Sequence, residues 1–275
     1  MASVPDIKLN DGWTIPQFGF GVFQIPQADT AEAVRAALDA GYRHLDTAQM
    51  YGNEEGVAEG IAQSGVSRAD VFITTKLNNS AHGYDAAIKA LDESLSKLRT
   101  DYVDLYLVHW PRPKADQYVE SWKAFEKLQA DGKARSIGVS NFQPAHLDRL
   151  AKETETVPAV NQIELHPNLQ QRELREYHAK AGIATEAWSP IAQGDVLQDE
   201  KLTEMAERYQ KSVAQVILRW HIQLGNIVFP KSSTPARIKE NIDIFDFQLS
   251  EDDVRAIANL DKGKRRGPNP DNFEG

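Results

Sequence analysis

Short apolar runs alternate along the chain with amphipathic stretches whose apolar positions recur three and four residues apart. After a candidate hairpin, Asp6–Leu9 and Trp13–Ile15 around Asn10-Asp11-Gly12, strands are predicted at Phe18–Gly21, His44–Asp46, Val71–Lys76 and Val103–His109. Four more follow at Arg135–Ser140, Ala159–Glu164, Ile183–Trp188 and Ile227–Phe229. Helical periods lie between them. Ile88, Leu91, Leu95 and Leu98 form one, Tyr118, Trp122, Phe125 and Leu128 a second, and Val213, Val216, Ile217, Trp220 and Leu224 a third.

Eight strands alternating with helices, and no linker rich in Pro, Gly or Ser, predict an α/β fold: one (β/α)8 TIM barrel over residues 1–275. An open doubly wound sheet is the alternative, but it would carry a G-x-G-x-x-G turn after its first strand, where this chain has "GFGVFQIPQ". Two further helical stretches, Asp199–Gln210 and Ser250–Leu260, exceed the plain eightfold pattern. Residues 262–275 have no periodicity and are expected as a tail near the barrel mouth.

Charge and composition narrow the function. The chain has 31 basic and 40 acidic residues, a net charge of −9 that opposes binding to nucleic acid or anionic membranes. It has no cysteine, which removes disulfides, thiolate metal sites and cysteine nucleophiles together. No basic-then-apolar leader or membrane-length apolar run is seen, so a soluble cytoplasmic protein is expected; a monomer acting on a small molecule is expected with it.

Barrel enzymes carry their chemistry where strands end. Asp46 ends the second predicted strand, Lys76 the third and His109 the fourth. Ser140 and Asn141 end the fifth, Gln162 lies late in the sixth, and Trp188 and Ser189 end the seventh. Lys231 and Ser232 follow the eighth. Any one of these could be packing, an Asx-turn or a solvated charge; seven on one rim are not explained that way. Tyr51 stands five residues after Asp46. A tyrosine with a reference pKa of ~10 is a poor acid at neutral pH, and an adjacent ammonium held by a carboxylate favours its phenolate. Tyr51, Lys76 and Asp46 therefore read as a tuned proton donor, with His109 to polarise a carbonyl oxygen.

A second signal is "PKSSTPARIKEN", where Thr234 reads as an N-cap and Pro235 as the first helical residue. Such a helix start offers N–H groups to an anion, and Lys231 and Arg237 add cations. Glu240 and Asn241 fall about one turn on, within reach of an adenine or ribose. Trp188 offers a face for a flat ring, and Ser140, Asn141 and Gln162 offer partners for a carboxamide. Together these describe a nicotinamide dinucleotide, and the extra positive charge favours NADPH over NADH. No metal site is expected: His221 lies in a helical stretch, and Glu164–His166 is the only close acid–histidine pair near a strand.

Over nearly its whole length the sequence resembles the aldo-keto reductase family. "GYRHLDTAQMYGNEEGVAEGI", "VDLYLVHWP", "IGVSNF" and "FPKSSTPARIKEN" match its motifs in order. The branch of the 2,5-diketo-D-gluconate reductases is the most similar. The resemblance implies NADPH-dependent reduction of aldehydes and ketones (small carbonyls, α-diketones or keto-sugars). Tyr51 would be the proton donor, Lys76 and Asp46 would lower its pKa, and His109 would orient the carbonyl. The same resemblance puts the carboxamide on Ser140, Asn141 and Gln162, the ring on Trp188 and the 2′-phosphate on Lys231, Ser232 and Arg237. A regulatory subunit that binds NADPH with little turnover shares this fold and is the alternative. One departure stands out: the family commonly has tryptophan two residues after the catalytic lysine, where "KLNN" places Asn78. A more open or more polar substrate pocket is expected, bounded by Phe23, Met50, Asn78 and Trp110.

Overall fold

The structure is a computed structural model that describes residues 4–275. The hairpin pairs β1 (Asp6–Lys8) with β2 (Thr14–Pro16), and Gly12 takes the left-handed turn conformation at φ +93°. Eight parallel strands follow: β3 (Phe20–Gly21), β4 (His44–Asp46), β5 (Phe72–Leu77), β6 (Val103–Val108), β7 (Ala134–Ser140), β8 (Val160–Glu164), β9 (Ala184–Trp188) and β10 (Ile227–Val228). They pair in sequence order from β3 to β10. Parallel bridges from Phe18 to Val228 and from Gly21 to Lys231 close the ring. Closure explains why the first and last strands are shorter than their apolar runs. Phe18–Gly21 is shared between two neighbours, Phe20 and Gly21 laddering to β4 while Phe18 bridges to β10.

Helices α1 (Gln27–Asp39), α2 (Glu54–Ser64), α3 (Tyr84–Leu98), α4 (Tyr118–Ala130), α5 (Pro144–Glu153) and α6 (Arg172–Ala181) cover the outside. Helices α7 (Glu200–Tyr209), α8 (Val213–Gln223), α9 (Pro235–Ile242) and α10 (Glu251–Ala258) complete it. The periodic positions turn inward as their spacing demands: Leu91, Leu95 and Leu98 on α3, and Tyr118, Trp122, Phe125 and Leu128 on α4, are buried. Asp199 caps α7 through the N–H groups of Lys201 and Leu202, and Ser212 with Gln215 forms a capping box on α8.

Within the barrel, alternate residues face the axis. Leu105, Leu107, Val160 and Ile227 form the lower interior together with Leu9 and Ile15 of the hairpin, which plugs that end. Gly138 lies in β7 where a Cβ would come within 2.7 Å of Leu107, so the absent side chain makes room for the core. At the other end the tail crosses the mouth. The Glu164 carboxylate accepts the N–H groups of Arg266 and Gly267 at 2.5 and 3.1 Å. The Glu274 carboxylate accepts those of Lys114 and Ala115 at 3.0 and 3.2 Å, and Phe273 packs on Trp110 with ring centroids 4.4 Å apart.

Candidate active site

Strand alternation puts His44 and Asp46 of β4, and Thr74 and Lys76 of β5, on the barrel axis side. The chain then leaves β4 through a 3-10 turn, Gln49–Tyr51, ended by Gly52 at φ +67°. Asn53 holds this loop down: its amide donates to the carbonyls of Val22 and Ile25 at 2.9 and 3.1 Å and accepts from Thr47 at 2.9 Å. The result is Tyr51 folded back over Lys76. The Lys76 Nζ donates to Asp46 Oδ1 at 2.6 Å and to the Thr47 carbonyl at 2.9 Å, and lies 3.3 Å from the Tyr51 hydroxyl. Lys76 is fully buried, so its charge needs this partner.

Burial works against the Lys76 ammonium, but Asp46, Tyr51 and Glu186 outweigh it and hold its pKa above the ordinary value. Burial raises the Asp46 carboxyl, and Lys76 and Gln162 pull part of that back. Burial also raises the Tyr51 phenol; Lys76 opposes this, Asp46 and Glu186 add to it, and the net direction is upward. Lys76 thus limits the rise of the Tyr51 pKa and does not carry it below the free value. His109, just past β6, has its pKa pushed well below the ordinary value, first by burial and then by Lys76, so its imidazole is neutral with one N–H to give. Its ring meets that of Tyr51 edge-on, centroids 5.9 Å apart.

These groups open into a cavity of about 290 Å³ at the strand ends. Asp46, Tyr51, His109, Ser140, Asn141, Gln162, Trp188, Ser189 and Lys231 all line it, as do Phe23, Met50 and Trp110, with Gly267 and Pro268 of the tail on its wall. The Ser140 hydroxyl donates to the main-chain carbonyl of Gln162 at 2.9 Å, and the Asn141 amide donates to the main-chain carbonyl of His109 and to Ser140 Oγ, both at 3.0 Å. Trp188 Nε1 donates to Asn141 Oδ1 at 2.8 Å, fixing the indole. Gln162 Nε2 donates to Asp46 Oδ2 and to Glu186 Oε2, both at 2.8 Å.

Other predicted positions fall elsewhere. Asn78 does not line the cavity; its side chain accepts the Ser80 N–H at 3.4 Å and caps the turn Asn79–Ala81. Ser232 is buried beyond the cavity, where its hydroxyl accepts the Thr234 N–H at 3.2 Å; Thr234 precedes α9 as predicted, but its side chain makes no capping bond. Arg237 and Glu240 are exposed along α9 and Asn241 is half-buried there, all outside the cavity. A wider outer groove of about 860 Å³, between the end of α1 and α8–α9, holds none of the rim groups and, of the predicted site residues, only Glu240. Among the described residues no group of three His, Cys, Asp or Glu side chains is arranged to hold a metal ion. No helix in that range is long and apolar enough to cross a membrane.

Glu186 and His44, fully buried beneath the rim, were not singled out from sequence. The available signal was Glu186 itself, a carboxylate two residues before Trp188 and so on the same strand face.

Fold and rim together define a (β/α)8 barrel with a polar catalytic-type pocket at its C-terminal face. Residues 13–262 match the aldo/keto reductase family, and the chain belongs to that family. A glyoxal reductase of Bacillus subtilis is 52% identical over 266 residues, covering 96% of each chain. The methylglyoxal reductase DkgA of Escherichia coli is 49% identical over 277 residues, covering 100% of both. Among solved structures, a Gox0644 mutant in complex with NADPH superposes with a TM-score of 0.95 at 48% identity, over 98% of each chain.

Proposed function

We propose that the protein is an NADPH-dependent reductase of small aldehydes and ketones in which Tyr51 donates the proton. The observation that carries this reading is the chain Asp46–Lys76–Tyr51, buried at its base and open to the cavity beside His109 at its tip. The glyoxal and methylglyoxal reductases, each aligned over nearly its full length, support small dicarbonyls as substrates, with larger α-diketones and keto-sugars the wider class.

The residues fit the cofactor. Gln162 has its amide hydrogens committed below, which leaves its carbonyl oxygen as an acceptor on the cavity side for a carboxamide N–H. Trp188 presents a fixed indole, and Lys231 and Arg237 are exposed cations beside the start of α9, suited to the 2′-phosphate with Ser232. Glu240 and Asn241 follow on the same helix for the adenine end, and Ser140, Asn141 and Ser189 complete the nicotinamide side. NADPH, when bound, supplies the hydride that reduces the carbonyl carbon.

The protein's part is proton delivery. His109 donates its single N–H to the carbonyl oxygen and orients it. Tyr51 is protonated at neutral pH, as an acid must be, and passes its proton to that oxygen as negative charge develops. Lys76, held charged by Asp46, stabilises the phenolate left behind. Phe23, Met50 and Trp110 wall the substrate side, with Gly267 and Pro268 restricting water. Asn78 reaches the substrate only through the turn that it caps.

We further propose a single domain with residues 262–275 as a mouth-covering tail, and a cytoplasmic monomer, which sedimentation would test against the chain mass of 30.7 kDa. The deciding experiment follows NADPH oxidation with glyoxal, methylglyoxal and a keto-sugar, comparing the protein with Tyr51→Phe. Turnover lost in the variant while NADPH still binds supports the reductase reading. NADPH binding without turnover on any carbonyl would replace it with the regulatory reading.

A further inference from the structure

Beneath the proton-donating groups lies a second buried acid. Glu186 faces the barrel axis from β9, directly beside Gln162 in the β8–β9 register, and is fully buried. Stability gives no reason for a carboxyl here. Its Oε1 has no hydrogen-bond partner, and a buried acid with an unsatisfied oxygen is destabilising relative to an apolar side chain of the same volume.

Its contacts suggest a different role. The nitrogen of Gln162 has two hydrogens, and the two acceptors at 2.8 Å, Asp46 Oδ2 and Glu186 Oε2, use both. With both spent, the amide plane is fixed and the carbonyl oxygen is turned to the cavity. With Asp46 alone, one hydrogen would be free and the amide could swing about the remaining bond. We infer that Glu186 is a positioning residue that acts through Gln162, setting the acceptor face offered to the nicotinamide carboxamide and the charge beneath the Asp46–Lys76 pair. This rests on the NADPH reading of the rim.

The surroundings of Glu186 define its second effect. From β4 it faces His44 and Asp46, from β5 Lys76, and from β8 Gln162, while its β10 neighbour Ile227 is apolar. His44 Nδ1 lies 3.2 Å from the Pro16 carbonyl and must donate to it, so Nε2 is an acceptor, and the Thr74 hydroxyl fills it at 3.1 Å. Glu186 Oε1 lies 3.6 Å from that nitrogen, beyond hydrogen-bond reach, and burial keeps the His44 ring neutral, so it gives a Glu186 carboxylate no counter-charge. Burial, then the Asp46 charge, push the Glu186 carboxyl up to about 8, so at neutral pH it is protonated and the interior carries one carboxylate against one ammonium. Ionising Glu186 adds a second negative charge that holds the Lys76 and Tyr51 protons more tightly and slows proton delivery.

The test uses the intact protein, Glu186→Gln, which cannot ionise, and Glu186→Leu, which cannot accept from Gln162. NADPH binding to the unmodified protein is measured first, by fluorescence; no binding would remove the NADPH reading itself. Given binding, reduction by the unmodified protein is expected to decline through an inflection near pH 8. Glu186→Gln is expected to lack that inflection. Glu186→Leu is expected to raise the KM for NADPH about three- to tenfold, the effect of one net hydrogen bond, with the KM for the carbonyl unmoved. A merely structural role would lower stability and leave both the pH profile and the KM split as they were. The inference is overturned if Glu186→Gln keeps the inflection, or if folded Glu186→Leu binds NADPH as the unmodified protein does. Should Glu186→Leu fail to fold, the Glu186→Gln profile decides alone.

Discussion

Thr75 and Lys76 are neighbours on β5 and serve opposite sides of the barrel wall. Lys76 points inward to Asp46 and Tyr51. Thr75 points outward, where its hydroxyl donates to Glu54 Oε1 of α2 at 2.7 Å. Both sides hold a buried acid raised by burial, and both hold a tyrosine, Tyr51 half-buried inside and Tyr106 fully buried outside. The outer group is sealed. Glu54 Oε2, Ser94 Oγ and Tyr106 OH have no partner and line none of the cavities described above. The inner group has a buried counter-charge at its base and a cavity at its tip. Buried acids and tyrosines alone therefore do not distinguish the two sides; the paired charge that ends in open space does.

The largest expected effect lies on the inner side. Tyr51→Phe should lower turnover about 10²- to 10⁴-fold, the usual worth of a positioned acid, with NADPH affinity kept. Steady-state rates within tenfold of the unmodified protein would break the comparison. Lys76→Met should abolish most turnover and also destabilise by about 3–5 kcal/mol, because Asp46 is left buried without its counter-charge. Denaturant unfolding measures the second part. Thr75→Val, one residue away, should destabilise by only about 1–3 kcal/mol through the donor that Glu54 loses, with turnover preserved.

Glu54→Gln sharpens the contrast through pH. The folded Glu54 carboxyl titrates above its ordinary value, chiefly because it is buried. In the window between the ordinary and folded values the folded state holds more protons than the unfolded one, so stability falls as pH rises through it. Glu54→Gln should remove that slope from melting temperatures measured across pH, while a slope that persists would assign it elsewhere. The smallest effect is expected from Asn78→Trp, since the position caps a turn off the cavity wall. Stability should fall by about 0.5–2 kcal/mol, the usual cost of losing such a cap. A changed ratio of methylglyoxal to keto-sugar rates would show that the turn transmits its shape to the pocket.

Much of this arrangement was legible in the sequence because the signals were local. Apolar runs located the eight strands, and a polar residue at the end of a strand in this architecture has few places to go, which is why Asp46, Lys76, His109, Gln162 and Trp188 could be read onto one rim. Other features depend on distant parts of the chain. The shortening of the first and last strands follows from barrel closure between Phe18 and Val228, more than two hundred residues apart. The direction of the Tyr51 pKa depends on burial, which spacing does not show: Lys76 was read as lowering it, and burial wins. Asn78 illustrates a further limit, because a side chain that can face a pocket can also cap its own turn. Glu186 went unread since its meaning depends on register with Gln162 across the sheet.

The hairpin at the base of the barrel has a consequence for solvent. Leu9 and Ile15 close the lower interior with Leu105, Leu107, Val160 and Ile227, all buried, so the barrel is shut by apolar side chains below Lys76 and the polar layer beneath it. Water can approach the ammonium only from the mouth, past Tyr51. Isotope exchange at the Lys76 nitrogen would then be a clock for the mouth alone: anything that occupies or closes the cavity should slow it, whatever happens to the rest of the barrel.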